Sequence, residues 1–203
     1  MIKLLCQLPH VITVAVSGGS DSMGLLDFLH RKHTVNAVFI NHGTKHSAEA
    51  ERFVGDFCSG RRIPFVAHTI SMEKPKGESQ EEWWRNQRYR VFHGLDATVV
   101  TAHQLDDCIE QWLFSSIHGK GNTIPYANRN VVRPVLTTTK EELRSWCIRR
   151  NVPWIEDPSN RDIKYMRNLI RHELMPSILK INPGICKVVR KKVLKAMEDS
   201  ALT

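Results

Sequence analysis

The sequence is short of several features that would narrow its class. Its five cysteines are an odd number, widely scattered and without a C-x-x-C pair, which argues against a disulfide framework and a zinc site. No run of about 18 apolar residues occurs, and residues 1–9 carry one lysine and too short an apolar stretch for a signal peptide. These absences predict a soluble, reduced, cytoplasmic protein with no membrane partner.

Acidic side chains are in deficit. The 203 residues hold 29 Lys and Arg against 21 Asp and Glu, a formal net charge of +8. Solubility alone does not require this excess, so it favours a polyanionic partner. A chain of this length buries a core without disulfide or metal cross-links.

Apolar runs alternate with helical periodicity, which predicts an α/β, doubly wound, mainly parallel five-stranded sheet. The expected strands are Val11–Val16, Val35–Ile40, Pro64–Ile70, Ala97–Thr101 and Val131–Val135. The expected helices are Ser22–Lys32, Ser47–Arg61, Gln80–Phe92, Asp106–Ile117 and Lys140–Arg150. After Pro153 the pattern is helical only, near Tyr165–Leu174 and Ile185–Asp199, so we divide the chain into a catalytic domain, 1–152, and a helical extension, 153–203. A ligand is expected at the carboxyl ends of the strands, near the switch point beside strand one.

The most informative segment ends the first strand, where the chain reads Ser17-Gly18-Gly19-Ser20-Asp21-Ser22. Two glycines let the backbone curl so that its N–H groups face an anion, and the following helix adds the positive end of its dipole. Asp21 would repel a phosphate unless Mg²⁺ lay between them. The loop lacks the Walker Lys-Ser/Thr ending and the GxGxxG spacing. A tight turn is the alternative, but six such residues after an apolar strand favour a phosphate site.

A second group of polar residues follows the fourth strand. Asp106, Asp107 and Glu110 fall in the first turns of the next helix, just after His103. Capping explains acidic residues there, and we expect one of the two aspartates to cap the helix. Three carboxylates and a histidine exceed what capping needs. They could hold Mg²⁺, bind a cationic amine, or accept a proton from an attacking amine.

These motifs resemble a known family. SGGSDS is similar to the signature of the PP-loop ATP pyrophosphatases, which have the adenine nucleotide alpha hydrolase-like fold and split ATP into AMP and pyrophosphate. Residues 11–177 resemble the tRNA(Ile)-lysidine synthetases in several further segments. These are Asn41-His42-Gly43, Arg85-Asn86-Gln87-Arg88-Tyr89, His103 to Glu110, Arg133-Pro134, Trp154 to Asn160 and Tyr165 to His172. The chain looks like a compact form without the family's C-terminal domains.

The resemblance implies ATP-dependent ligation of L-lysine to C2 of the wobble cytidine of tRNA-Ile with anticodon CAU. ATP would bind Ser17, Gly18, Gly19, Ser20, Asp21, Ser22, His42 and His103. The catalytic group would be Asp21, Asp106, Asp107 and Glu110, with Mg²⁺ at Asp21 and Asp106. A homodimer is left open. Two other functions remain possible alternatives: a PP-loop tRNA thiolase, although that type normally has C-x-x-C cysteines, and a non-catalytic ATP- or RNA-binding remnant.

Arginines and lysines extend the predicted site. Arginine suits bidentate oxyanion binding, so we predict RNA or phosphate contacts, with a solvated surface side chain as the alternative for any one of them. The predicted contacts are Arg85, Arg88, Arg133, Arg161, Arg167 and Arg171. Lysines and an arginine also recur at near-helical intervals in the tail, at Lys187, Arg190, Lys191, Lys192 and Lys195. This tail is either a solvated helix or a tRNA contact.

Overall fold

The structure is a computed structural model that describes residues 2–72 and 74–201, with the side chains of residues 160, 161, 200 and 201 left out. Its strands are β1 Val11–Ala15, β2 Thr34–Asn41, β3 Phe65–Thr69, β4 Val99–Val100, β5 Ala127–Asn128 and β6 Val131–Val132. Its main helices are α1 Ser20–His30, α2 Lys45–Gly60, α3 Gln80–His93, α4 Leu105–Ile117 and α5 Lys140–Arg150. The C-terminal part contains a 3₁₀ turn Pro158–Arg161, α6 Met166–Leu169, a π-helical turn Ile170–Leu174, α7 Met175–Ile181 and α8 Ile185–Ala201.

The strands form one six-stranded sheet in the order β3-β2-β1-β4-β6-β5, and all neighbours are parallel except β5 and β6. The predicted doubly wound, mainly parallel sheet is confirmed. The sixth strand, Ala127–Asn128, was not predicted, because a two-residue antiparallel edge strand leaves no period in the sequence. The fifth predicted strand is shorter than expected and stops at Val132, before Arg133 and Pro134, and proline has no N–H for a sheet ladder.

Chain order reverses between β1 and β4. The chain builds β2 and β3 on one side of β1 and then places β4 on the other, so the carboxyl ends of β1 and β4 flank a crevice. The loop after β1 is Val16–Gly19, and α4 starts four residues beyond Thr101. Both predicted motifs therefore lie at this crevice.

Helices cover both faces of the sheet. α1 and α5 pack together against one face with β1 and β2, in a core that includes Ile12, Val14, Leu25 and Leu143. The C-terminal helices pack on α4 instead, where Ile109 and Leu105 share a cluster with Ile170, Met175 and Val189. The boundary at residue 153 stays a prediction. No helix in the described part of the chain is long and apolar enough to cross a bilayer.

Candidate active site

The loop after β1 has the geometry of an anion-binding site. Gly18 has φ +89°, in the left-handed region that glycine adopts without strain. Ser22 braces the turn: its Oγ accepts from the Ser17 N–H (3.1 Å) and donates to the Gly19 carbonyl (3.1 Å). Gly19 is the N-cap of α1 and has no side chain to bond the first-turn N–H groups. Those N–H groups, with the helix dipole behind them, are therefore available to a phosphate.

The segment that contains Ile155 packs against the loop after β1. Ile155 donates its N–H to the Gly18 carbonyl at 2.9 Å. A Cβ placed on Gly18 would meet Ile155 Cγ1 at 3.1 Å, so the close approach itself requires glycine. The family resemblance included Ile155 in the segment Trp154 to Asn160, but it gave no sign that Ile155 touches the phosphate loop.

The two acidic motifs meet. Burial raises the pKa of Asp21 above its ordinary value, Lys140 and Gln104 lower it, and Asp106 raises it further. Burial also raises the pKa of Asp107, to about 7, and Asp21 and Glu110 add to that rise. The carboxylates after β1 and β4 therefore interact electrostatically across the crevice.

Both aspartates of α4 also cap helices, where the sequence led us to expect only one. Asp107 Oδ2 accepts the backbone N–H of Gln104 at 3.1 Å, within a capping box at the start of α4. Asp106 Oδ2 accepts the Lys140 N–H at 2.9 Å, at the start of α5. Gln104 and Lys140 were missed by sequence reasoning. Lys140 belongs to no recognisable motif and begins a helix 23 residues after the end of α4. Only the packing of α5 on α1 brings it to this site.

Glu110 lies deeper than the aspartates and is 3% exposed. Its Oε1 accepts from Arg167 Nη1 at 2.9 Å, and its Oε2 accepts from Arg171 Nη2 at 2.5 Å. Arg171 also lies 3.6 Å from Asp107 Oδ1, and Arg167 donates to Gln111 Oε1 at 2.7 Å. The carboxylate predicted to be catalytic and two arginines predicted to contact phosphate thus bind each other, and they join α4 to the C-terminal helices.

A cationic group occupies the other side of the crevice. His103 Nδ1 lies 2.9 Å from Thr101 Oγ1. Burial lowers the pKa of His103 to about 3, and the charges of Arg133, Arg88, Arg85 and Arg167 lower it further. His103 is therefore neutral at physiological pH and surrounded by guanidinium charge.

The arginines of this group differ in their placement. Arg133 is 1% exposed and donates to the Pro125 carbonyl at 2.6 Å and to the Tyr89 hydroxyl at 2.5 Å, so its guanidinium has no free surface for tRNA. Arg85 lies over the Tyr89 ring at 5.0 Å and is exposed. Arg88 is half-buried, and among the described residues its guanidinium forms no ion pair or hydrogen bond. Burial and the charge of Arg85 lower the pKa of Arg88, whereas Tyr89 and the charge of Glu81 raise it. A partly buried guanidinium without an ion pair favours an anionic ligand.

His42 lies at the end of β2, on the same edge of the sheet. Its backbone N–H donates to Ser47 Oγ at 3.0 Å, and its ring packs on Trp84 with the centroids 5.0 Å apart. Burial and the charge of Arg88 lower the pKa of His42 to about 4, whereas Asp157 raises it. Its Nδ1 is buried without a partner in the described part of the chain. The ring is therefore neutral at physiological pH.

The remaining predicted basic residues lie apart from the crevice or outside the description. The Arg161 side chain is not among the described ones. On α8, Lys192 Nζ lies 5.6 Å from the centroid of the Trp112 ring, while Lys187, Lys191 and Lys195 are exposed.

Oxygen donors for Mg²⁺ are present, although the described residues contain no group of three or more His, Cys, Asp or Glu side chains that could hold a metal ion. The charge of Asp106 contributes to the raised pKa of Asp21, and a hard divalent cation between two carboxylates relieves such repulsion. Mg²⁺ usually binds through one or two carboxylates together with substrate phosphates and water. The carboxylates of Asp21 and Asp106 could bind Mg²⁺ in this way, together with the phosphates of a substrate.

Comparison with known proteins agrees with this geometry. A family model described as a PP-loop domain matches residues 4–178. The chain belongs to the PP-loop family. Among curated relatives, it is 32% identical over 213 residues to tRNA(Ile)-lysidine synthase of Francisella philomiragia, an alignment that covers 98% of this chain and 53% of that protein. It is 28% identical to the proteins of the same name from Vibrio vulnificus (94% and 48% covered) and Coxiella burnetii (93% and 46% covered).

The chain spans about half the length of these curated relatives. A solved structure of NH3-dependent NAD synthetase from Campylobacter jejuni superposes with a TM-score of 0.54 at 12% identity, over 94% of this chain and 87% of that one. At this identity the superposition shows a shared fold only. The PP-loop family and its α/β architecture are thus established for this chain.

Proposed function

We propose that the protein is an ATP-dependent ligase that joins L-lysine to C2 of the wobble cytidine in a tRNA-Ile with anticodon CAU. The observation that carries this proposal is the meeting of an uncapped helix N-terminus with a carboxylate group on one side and, on the other, a neutral His103 surrounded by arginine charge. The names of the curated relatives support a tRNA substrate, and the net charge of +8 suits an RNA partner.

The first half-reaction is adenylation. The C2 oxygen of the cytidine attacks the α-phosphorus of ATP, and pyrophosphate leaves. The N–H groups at the start of α1 stabilise the negative charge of the phosphates, and Arg88 adds an unpaired guanidinium to the same crevice. Mg²⁺, held by Asp21 and Asp106, would neutralise charge on the phosphates.

The second half-reaction is amine transfer. The ε-ammonium of lysine must lose a proton before its nitrogen attacks C2 and AMP leaves with the former C2 oxygen. We assign the proton acceptor to Asp107, since its pKa of about 7 lies near physiological pH, where a general base works best. Glu110 supports it indirectly, because it fixes Arg171 beside Asp107.

The experiment uses the purified protein, ATP, Mg²⁺, L-lysine and a tRNA-Ile transcript with a CAU anticodon. We expect AMP formation that requires both lysine and tRNA, and a nuclease fragment heavier by one lysine less one water. Asp107→Asn should slow the lysine-dependent release of AMP more than the lysine-independent release of pyrophosphate, whereas Glu49→Gln, an exposed charge on α2, should change neither. If Asp107→Asn weakens only ATP and Mg²⁺ binding, Asp107 belongs to the metal site and the amine is bound elsewhere.

A thiolase is the second candidate on this fold. Such an enzyme requires a sulfur donor and a thiol relay, but the buried Cys58, Cys108 and Cys147 have pKa values raised by burial to about 11, 12 and 11. Thiols of that kind are poor nucleophiles at neutral pH. The ligase proposal is therefore preferred.

A further inference from the structure

An apolar surface lies beside the candidate site, on the segment around α6. Four large apolar side chains are exposed within seven residues: Ile163 (51%), Tyr165 (37%), Met166 (52%) and Leu169 (36%). We call these four residues the α6 patch. Exposed apolar groups this concentrated and bordered by charge mark binding sites more often than chance.

The patch is held in a fixed conformation. The buried Asn168 donates from Nδ2 to the carbonyls of Ser159 and Asp162, both at 2.9 Å. The Tyr165 N–H donates to the Asp162 carbonyl at 3.3 Å, and the Leu169 N–H donates to the Tyr165 carbonyl at 3.0 Å. The apolar side chains are therefore exposed on an ordered turn, where they keep a defined surface ready for a partner.

The same turn reaches the candidate site on its other face. Leu169 lies four positions after Tyr165 and three after Met166, so it shares a side of the turn with both. Arg167 and Asn168 occupy the opposite side, and Arg167 bonds Glu110 at 2.9 Å. The patch therefore lies within one helical turn of a residue that binds the carboxylate group.

Charge around the patch identifies its partner. Lys164 is exposed within the segment. The side chains of Arg167 and Arg171, which pair with Glu110, remain 37% and 35% exposed. The Asp162 carboxylate is turned toward the backbone, where Oδ1 accepts the Lys164 N–H at 3.1 Å. Apolar and aromatic side chains interleaved with cations suit unpaired nucleobases, whose faces stack on apolar groups while their phosphates bind cations.

We propose that the α6 patch is a stacking surface for unpaired bases of the RNA loop that carries the target cytidine. This inference rests on the proposed function for the identity of the RNA. It differs from a phosphate contact, because stacking gives affinity that does not depend on salt, whereas neutralised phosphates give affinity that falls with salt.

The test compares the parent with a Tyr165→Ala, Met166→Ala double variant. The RNA ligands are a stem–loop with CAU in its single-stranded loop and a fully paired duplex of the same length, each titrated at several KCl concentrations. We expect the double variant to bind the stem–loop about tenfold more weakly or worse at every salt concentration, the loss expected for one or two unstacked bases. The slope of log K against log salt and the affinity for the duplex should not change.

Two controls isolate the surface. Tyr165→Phe keeps the ring and should bind the stem–loop as the parent does. A Leu179→Ala, Ile181→Ala pair removes exposed apolar side chains of α7 (39% and 84% exposed), which lie outside the patch, and should also bind like the parent. All the truncated side chains are exposed, so the variants should keep the parent's thermal midpoint within a few degrees.

Three results would overturn the proposal. One is unchanged stem–loop affinity in the double variant. Another is an equal loss for stem–loop and duplex with a flatter salt slope. The third is a parent that sediments as a dimer and a variant that sediments as a monomer with unchanged RNA affinity, which assigns the patch to a second copy of this chain.

Failure of the proposed function gives a different pattern. A parent that binds the stem–loop through the patch but transfers no lysine would refute the ligase and leave the stacking surface in place. A parent that transfers lysine, together with a double variant that binds the stem–loop as tightly as the parent, would support the ligase and refute the stacking surface.

Discussion

Replacing Glu110 with glutamine removes one negative charge from between two guanidinium groups and leaves the side-chain shape almost unchanged. Glu110 is 3% exposed and bonds Arg167 at 2.9 Å and Arg171 at 2.5 Å. Breaking a fully buried ion pair by removing one partner costs about 3–5 kcal/mol. Here the arginines are 37% and 35% exposed and can regain water, and glutamine still offers one acceptor. We therefore expect the free energy of unfolding to fall by about 2 kcal/mol, less than for a fully buried pair.

Urea unfolding, followed by circular dichroism, measures this change directly. For a chain of this size, a loss of about 2 kcal/mol corresponds to a thermal midpoint roughly 4–8 °C lower. Amide exchange should accelerate most in residues 166–181, because Glu110 joins those helices to α4. Glu49→Gln, an exposed charge, is the control and should lie within about 0.5 kcal/mol of the parent. If Glu110→Gln unfolds at the parent's midpoint, the network does not hold the C-terminal helices in place and our reading of Glu110 as their anchor is wrong.

Three further predictions follow from the same geometry. Gly18→Ala should destabilise the protein by about 1 kcal/mol or more and abolish ATP binding in calorimetry, because φ is +89° and the new Cβ would meet Ile155 at 3.1 Å. Gly60→Ala is the control, since a Cβ there meets nothing within 4 Å, and it should be neutral or slightly stabilising. Equal effects of the two changes would refute the strain argument. The pKa of Asp107 is raised from 3.8 to about 7, so the folded protein retains a proton that the unfolded chain releases, and this group's contribution to stability is complete below about pH 4 and lost as the pH rises through 7. In metal-free buffer, the urea midpoint of Asp107→Asn should therefore rise relative to that of the parent between pH 5 and pH 8. A difference between the two midpoints that does not change with pH would contradict the assignment. Neutralising Lys187, Lys191 and Lys195 should flatten the salt dependence of tRNA binding by roughly one unit of slope per lost phosphate contact, and identical binding at every salt concentration would make α8 a packing helix only.

The sequence predicted the sheet and the two loops at its edge, because these depend on local signals. Alternating apolar runs gave the parallel strands, and the glycines with Asp21 gave the phosphate loop. The start of α1 was placed two residues late, since Gly19 serves as its N-cap and Ser20 and Asp21 already lie in the helix. Asp21 therefore lies in the first turn of the helix rather than in the loop.

What the sequence did not predict comes from contacts between distant segments. Glu110 has no local feature that distinguishes a catalytic acid from the partner of Arg167 and Arg171, which lie 57 and 61 positions further along the chain. Nothing in the sequence distinguishes Arg133 from a surface arginine, because its hydrogen bonds to Pro125 and Tyr89 depend on the tertiary structure. Periodicity carries no information about such pairings, because they depend on which helix packs against which.

The central claim is that this site activates a tRNA cytidine with ATP for attack by lysine. The most direct measurement is the mass of the anticodon fragment after incubation with ATP, Mg²⁺ and isotopically labelled lysine, for the parent and for Asp21→Ala. We expect the fragment of the parent to gain one labelled lysine less one water at the wobble position, with one AMP released per lysine joined. Asp21→Ala should lose at least about 10²-fold in rate while remaining folded. A folded parent protein that leaves the fragment unchanged, or a folded Asp21→Ala protein that modifies it at the parent's rate, would contradict the account.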